Sequence, residues 1–231
     1  MTLECVDTQA RSTHMTRVYS LMAGGVAVSS SVAYMVGMST AALATLMTPY
    51  VFVPVLITPF VISYLISARR VRNPVYLTGL FALTTATMGL WLANIASKAV
   101  ASTAFASALG LSVGVGAVIF AGLAAYGWFT KRDLSVWGSF LFAALLGLIV
   151  AGFAKLFLAS AGFSLATAAI GVLVFAGLIA FDVQRAKQDY QSGYAGAVQA
   201  ALNLHGRAEA LTFFAGLLLL AANVGARLPS S

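Results

Sequence analysis

Charged and apolar positions alternate along this chain in long blocks. No charged side chain occurs from Val18 to Ala68, a run of 51 residues. Further charge-free blocks cover Asn73–Ser97, Ala99–Thr130, Leu134–Ala154, Leu156–Phe181 and Ala210–Ala226. A helix needs about 20 apolar residues to cross about 30 Å of hydrocarbon. One helix over the first block would run about 75 Å at 1.5 Å per residue. That block therefore holds two spans, with a break near Ser39–Thr48, ahead of Pro49. The last block is short, so its helix begins upstream near Val198 and carries polar residues inside it. The pattern predicts seven spans, at about 18–38, 49–67, 74–94, 103–128, 137–157, 164–184 and 198–223.

Composition agrees with that pattern and removes the alternatives. The 231 residues are 61% hydrophobic and 8% charged, against a soluble norm of about 25% charged. Mean hydropathy is +0.95. So few charges cannot solvate a soluble globule of this size, which excludes a soluble enzyme and a disordered chain. A single cysteine, Cys5, excludes a disulfide scaffold and a cysteine metal cluster. The expected class is an all-α integral membrane protein. It divides into a polar N-terminal tail at 1–16, one seven-helix domain at 17–227, and a short tail at 228–231. Residues 1–17 lack the charged, apolar and cleavage regions of a signal peptide.

The net charge of +7 comes from basic residues scattered between apolar runs. That arrangement reads as a topology signal rather than a nucleic-acid surface. With the N-terminus inside, the inner segments carry nine Lys and Arg and the outer segments three, namely Lys98, Lys155 and Arg227. The positive-inside rule then gives N-in and C-out. Pro49, Pro54 and Pro59 fall in the second span and read either as a kinked packing helix or as a hinge. Gly110 and Gly114 have GxxxG spacing, which suits a dimer or tight packing within one bundle.

The informative residues are polar groups inside the spans. Asp182 sits near the inner end of the sixth span, and Arg207 and Glu209 lie within the seventh, after Asn203 and His205. A charge on a membrane helix faces a cavity or a partner. Asp182 could instead pair with Arg185 in the headgroup region. Arg207 lies two to three turns in from the inner face, at a depth similar to Asp182. An Asp182–Arg207 ion pair is therefore geometrically open, and it would offset both desolvation costs. His205 and Glu209 are four apart and share a face, with Arg207 roughly opposite. There is no HExxH, GxSxG, Walker or CxxC motif, so no enzyme activity and no cofactor are expected. No metal site is firm, with Asp182 the one candidate. A small-solute transporter would want broken helices in matching halves, and only the second span is Pro-interrupted.

Several motifs together resemble the Bax inhibitor-1 family. The loop Thr130-Lys131-Arg132-Asp133-Leu134-Ser135 with Gly138 is similar to the family's loop after its fourth helix. Phe181-Asp182-Val183-Gln184 looks like its sixth-helix signature, and Ala201-Leu202-Asn203-Leu204 like the start of its seventh helix. Arg17-Val18-Tyr19 leading to Met22-Ala23-Gly24 looks like its first-helix entry. The resemblance covers roughly Arg17 to Gly225. It implies a seven-helix bundle with the seventh helix central, in the cell's inner (plasma) membrane.

The resemblance also implies function. Some members are pH-sensitive calcium leak channels in which Asp residues on the sixth and seventh helices share a proton and gate the path. An Arg near the end of the second helix latches the sixth-helix Asp. Asp182 matches that Asp, and Arg69 or Arg70 could match the latch. The seventh-helix Asp does not carry over, because Arg207 stands at the aligned position, and Lys155 stands where the pattern suggests Asn. Two carboxylates share a proton, whereas an Asp–Arg pair is a standing salt bridge. A fixed cation also repels Ca2+ in a narrow path. The expectation is a non-enzymatic membrane protein with a Ca2+ or H+ leak or homeostasis role and an altered gate at Asp182 and Arg207. His205 and Glu209 are secondary candidates. The alternative is a modulator of a membrane-anchored AAA protease in membrane-protein quality control, for which the N-terminal residues could serve as a handle.

Overall fold

A computed structural model describes residues 2–67, 73–154, 157 and 160–225. The described residues are helical and contain no strand. Eight α-helices follow in order: α1 (Thr2–Gly37), α2 (Thr40–Leu46), α3 (Pro49–Ser67), α4 (Pro74–Ala101), α5 (Thr103–Phe129), α6 (Ser135–Ala154), α7 (Ala161–Gln188) and α8 (Gly193–Gly225). A 3-10 turn at Tyr190–Ser192 precedes α8. Six helices are long and apolar enough to cross a membrane: α1 from Thr8 onward, and α3 through α7. The seventh expected span falls on α8.

The breaks carry capping chemistry. The Ser39 side chain accepts the Ala42 N–H at 3.2 Å and starts α2. Asn73 accepts the Val75 N–H at 2.9 Å ahead of Pro74, whose missing N–H suits a first helical turn. The predicted break at 39–48 thus contains one short helix of its own. The polar residues 2–16 continue α1 without interruption, since no Gly or Pro lies between Thr2 and Ala23 to stop it. Helix α3 runs through Pro54 and Pro59.

The chain forms two compact units, residues 1–106 with 185–206, and residues 107–184 with 207–231. In the first, α1 packs along α4. Gly89 of α4 meets the Ser29 backbone of α1 so closely that a Cβ would overlap the Ser29 carbonyl. In the second, Leu148, Val174 and Leu178 join α6 to α7, and Phe175 stacks on Phe214 at 5.6 Å. Leu148 is the only fully buried residue of α6, with Leu141, Ala144 and Leu145 half-buried on the same contact.

Some hydroxyls are buried while many large apolar side chains are exposed. Val118, Leu173 and Phe153 are exposed, while Ser29, Thr84, Thr87, Ser112 and Thr167 are buried. Each buried hydroxyl donates to a carbonyl one turn back, for example Thr84 to Leu80 at 2.8 Å and Ser112 to Ala108 at 2.7 Å. In hydrocarbon, where no water can accept, that internal bond removes the penalty of burying the group.

The α1–α4 crossing gives a test. Gly89→Ala forces the two helices apart and is expected to destabilise by about 1–3 kcal/mol, the usual range for overpacking. Gly110→Ala, where a Cβ meets nothing within 4 Å, is expected to be neutral or stabilising. Thermal unfolding of both variants in detergent checks the contrast.

Candidate functional site

The last turns of α7 bring a buried polar cluster to the second unit. Val183 is wholly buried, Asp182 is 5% exposed and Gln184 is 8% exposed. Ile179 and Ala180, on the preceding turn, are also buried. A carboxylate in these surroundings requires a compensating partner. Arg207 of α8 supplies it, its Nε donating to Asp182 Oδ2. The guanidinium side chain is 20% exposed, so the cation keeps partial access to its surroundings while the carboxylate does not. Charge-assisted bonds of this kind are roughly twice as strong as neutral ones.

Gln184 acts on the loop before α6. Its side-chain N–H donates to the Arg132 carbonyl at 2.7 Å, and its Oε1 accepts the Leu134 N–H at 2.8 Å. One buried amide therefore satisfies two backbone groups of a loop with no secondary structure of its own. The orientation of the amide is fixed by needing a donor on one side and an acceptor on the other. Within the loop, Thr130 Oγ1 accepts the Arg132 N–H at 3.3 Å, and Asp133 Oδ1 accepts the Ser135 N–H at 2.9 Å. Asp133 is exposed, and the bonds from the Ser135 backbone and side chain hold its carboxyl below its ordinary value of 3.8. Gly138, on the first turn of α6, lies against the Phe181 ring. The 130–138 and 181–184 motifs thus meet, and Lys131, Arg132 and Asp133 are presented outward.

The other sequence candidates are distributed more widely. His205 is completely buried on α8 and Glu209 is half-buried one turn further on. Gln199 donates to Asn203 at 3.1 Å on the same helix. Arg69, Arg70 and Lys155 lie outside the described residues. Among the described residues, no three His, Cys, Asp or Glu side chains gather into a group that could hold a metal ion. Sequence reasoning missed the role of Gln184. Its signal was a lone amide two residues after an intramembrane Asp, at the end of an apolar helix. Reasoning from sequence also passed over His14, which is buried on α1.

Comparison with known proteins identifies the family. The model of a family described as inhibitor of apoptosis-promoting Bax1 matches residues 11–220. A Caulobacter vibrioides protein of uncharacterized role is 34% identical over 194 residues, covering 76% of this chain and 72% of the relative. A Deinococcus radiodurans protein, also uncharacterized, is 30% identical over 217 residues, covering 92% of this chain and 90% of the relative. The inner membrane protein YbhL of Escherichia coli is 34% identical over 177 residues, covering 76% and 74%.

Two outcomes follow from the loop. Gln184→Ala removes both loop bonds and is expected to weaken the loop's attachment by about 1–3 kcal/mol, read as faster hydrogen exchange at Leu134. The Asp133 bonds give a pH dependence. Because the folded carboxyl titrates below its ordinary value, its contribution is complete above about pH 3.8 and is lost as the pH falls through the lowered folded value. Unfolding temperature measured against pH should lose this acid-side component in Asp133→Asn.

Proposed function

Because the chain belongs to the Bax inhibitor-1 family, with residues 11–220 matched, we propose that it is a non-enzymatic, multi-pass inner-membrane protein whose cation path is held closed by the Asp182–Arg207 pair. The observation that carries this reading is the ion pair itself. A buried carboxylate is the group that would attract Ca2+ or exchange H+, and here a guanidinium occupies it. An arginine is always charged, so a pH change near neutrality does not release the carboxylate as it would release one of two carboxylates sharing a proton. A fixed cation beside the path also repels an entering cation.

Seven spans with N-in and C-out complete the proposal. Helix α8, 33 residues and about 50 Å long, serves as the seventh span, and nine inner against three outer basic residues set the orientation. The inner-membrane location is supported by the name of the E. coli relative, YbhL, and by six long apolar helices. Modulation of a membrane-anchored AAA protease is the alternative. It would use residues 1–16 as a handle, yet residues 2–16 are wound into α1, and a protease that grips an extended tail would first have to unwind them.

Calcium flux into liposomes tests the reading. The native protein is expected to pass little Ca2+ at any pH between about 5 and 8, the range in which a shared carboxylate proton titrates. Arg207→Asp creates a carboxylate pair and should raise flux severalfold with a pH dependence, while Arg207→Gln should raise it less. Unchanged flux in a folded Arg207→Asp protein would remove the gate from this position.

A further inference from the structure

A second polar site lies in the first unit. A pocket of about 330 Å³ opens between α1 and the start of α8, lined by Thr13, His14, Arg17, Tyr190 and Gly193 among others. This volume is at the small end of ligand sites, which run from about 300 to 1,000 Å³. It suits a compact polar group rather than a large organic ligand.

His14 carries the argument. It is 5% exposed, and its Nε2 is buried with no hydrogen-bond partner among the described residues. An orphaned ring nitrogen at this depth is costly unless something outside the chain satisfies it. Arg17 is the second observation. It is exposed, its guanidinium lies 5.9 Å from the centre of the Tyr194 ring, and no carboxylate pairs with it among the described residues. Arg11 lies similarly over Tyr190, at 5.0 Å. The Tyr194 ring orients Arg17 without neutralising it. Gly193 opens α8, and the first-turn amides of a helix have no partner within it. Asp189 and Arg17 both act electrostatically on His14, with opposite sign. Among the described residues, Asp189 is the acidic group that acts on His14, and it stands outside the pocket lining.

These groups want an oxyanion, and the sequence says where one is found. Arg17 is the last charge before the 51-residue charge-free run that begins at Val18. The pocket therefore sits at the step from polar to apolar chain, which is the depth of lipid headgroups. We propose that this pocket binds the phosphate of a membrane phospholipid, with Arg17 donating charge-assisted bonds to its oxygens and His14 Nε2 meeting another after a rotation of the ring. The lipid tails then run along the apolar surface of α1.

Native mass spectrometry of the full-length protein in neutral detergent tests this. The probes are dilauroyl phosphatidylglycerol, dilauroylglycerol, which lacks the phosphate, and inorganic phosphate as competitor. Phosphatidylglycerol should bind at least about tenfold more tightly than dilauroylglycerol, since a charge-assisted bond is worth that factor or more. Arg17→Gln, an exposed change that leaves the fold intact, should lose about tenfold, and His14→Gln a similar factor. Lys131→Gln removes an equal charge elsewhere and should leave the affinity unchanged. Unaltered lipid affinity in Arg17→Gln would overturn the proposal, as would an equal loss in Lys131→Gln, which would mean general charge attraction. Inorganic phosphate competing as tightly as the lipid binds would also overturn the lipid assignment and make this a soluble-phosphate site.

Discussion

A carboxylate that is 5% exposed at the end of an apolar helix must be neutralised from within the protein, and here Arg207 does so. The cost of burying either charge alone is several kcal/mol, and removing one partner of such a pair typically costs about 3–5 kcal/mol. The bond therefore fixes α8 to α7 at one register. It also sets the facing of the residues that follow on α7. With Asp182 turned to α8, Gln184 is placed to reach the Arg132 carbonyl and the Leu134 N–H, and the loop into α6 is held by that amide. The ion pair and the loop clamp are two residues apart on one helix end.

The same constraint acts in weaker form along the rest of the chain. Several hydroxyls are buried and bonded to their own helix, while many large apolar side chains are exposed. Close helix approach then rests on small residues, as at Gly89 against Ser29 and Gly127 against the Ala180 carbonyl. Lipid gives no hydrophobic drive to bring helices together, so van der Waals packing at such positions has to supply it.

Much of this was readable in the sequence. Block lengths between charges located the helices, because charge is expensive in hydrocarbon and its absence is conspicuous. The caps at Ser39 and Asn73 fall at the edges of the break and block that the charges outline. The Asp182–Arg207 contact is one the expected depths of the two residues left open. Helix ends were less legible. The start of α1 at Thr2 was hidden because polar residues that end a membrane span need not end a helix. The packing role of glycines was also hidden. Gly110 and Gly114 have the recognised spacing yet meet nothing within 4 Å, whereas Gly89 and Gly116, with no such signature, lie against Ser29 and Thr212. Spacing reports which residues share a face, and only the fold decides what that face meets. The partners of the Gln184 amide were unreadable for a related reason, as they are backbone groups some fifty residues away.

The most direct test of the account is a double-mutant cycle on the ion pair, with Asp182→Asn and Arg207→Gln made singly and together and unfolding free energy measured in detergent. Each single change is expected to destabilise, and the double variant to fall short of their sum by about 0.5–3 kcal/mol, the range for residues in direct contact. Losses that add to within about 0.5 kcal/mol, as they do for independent sites, would contradict it.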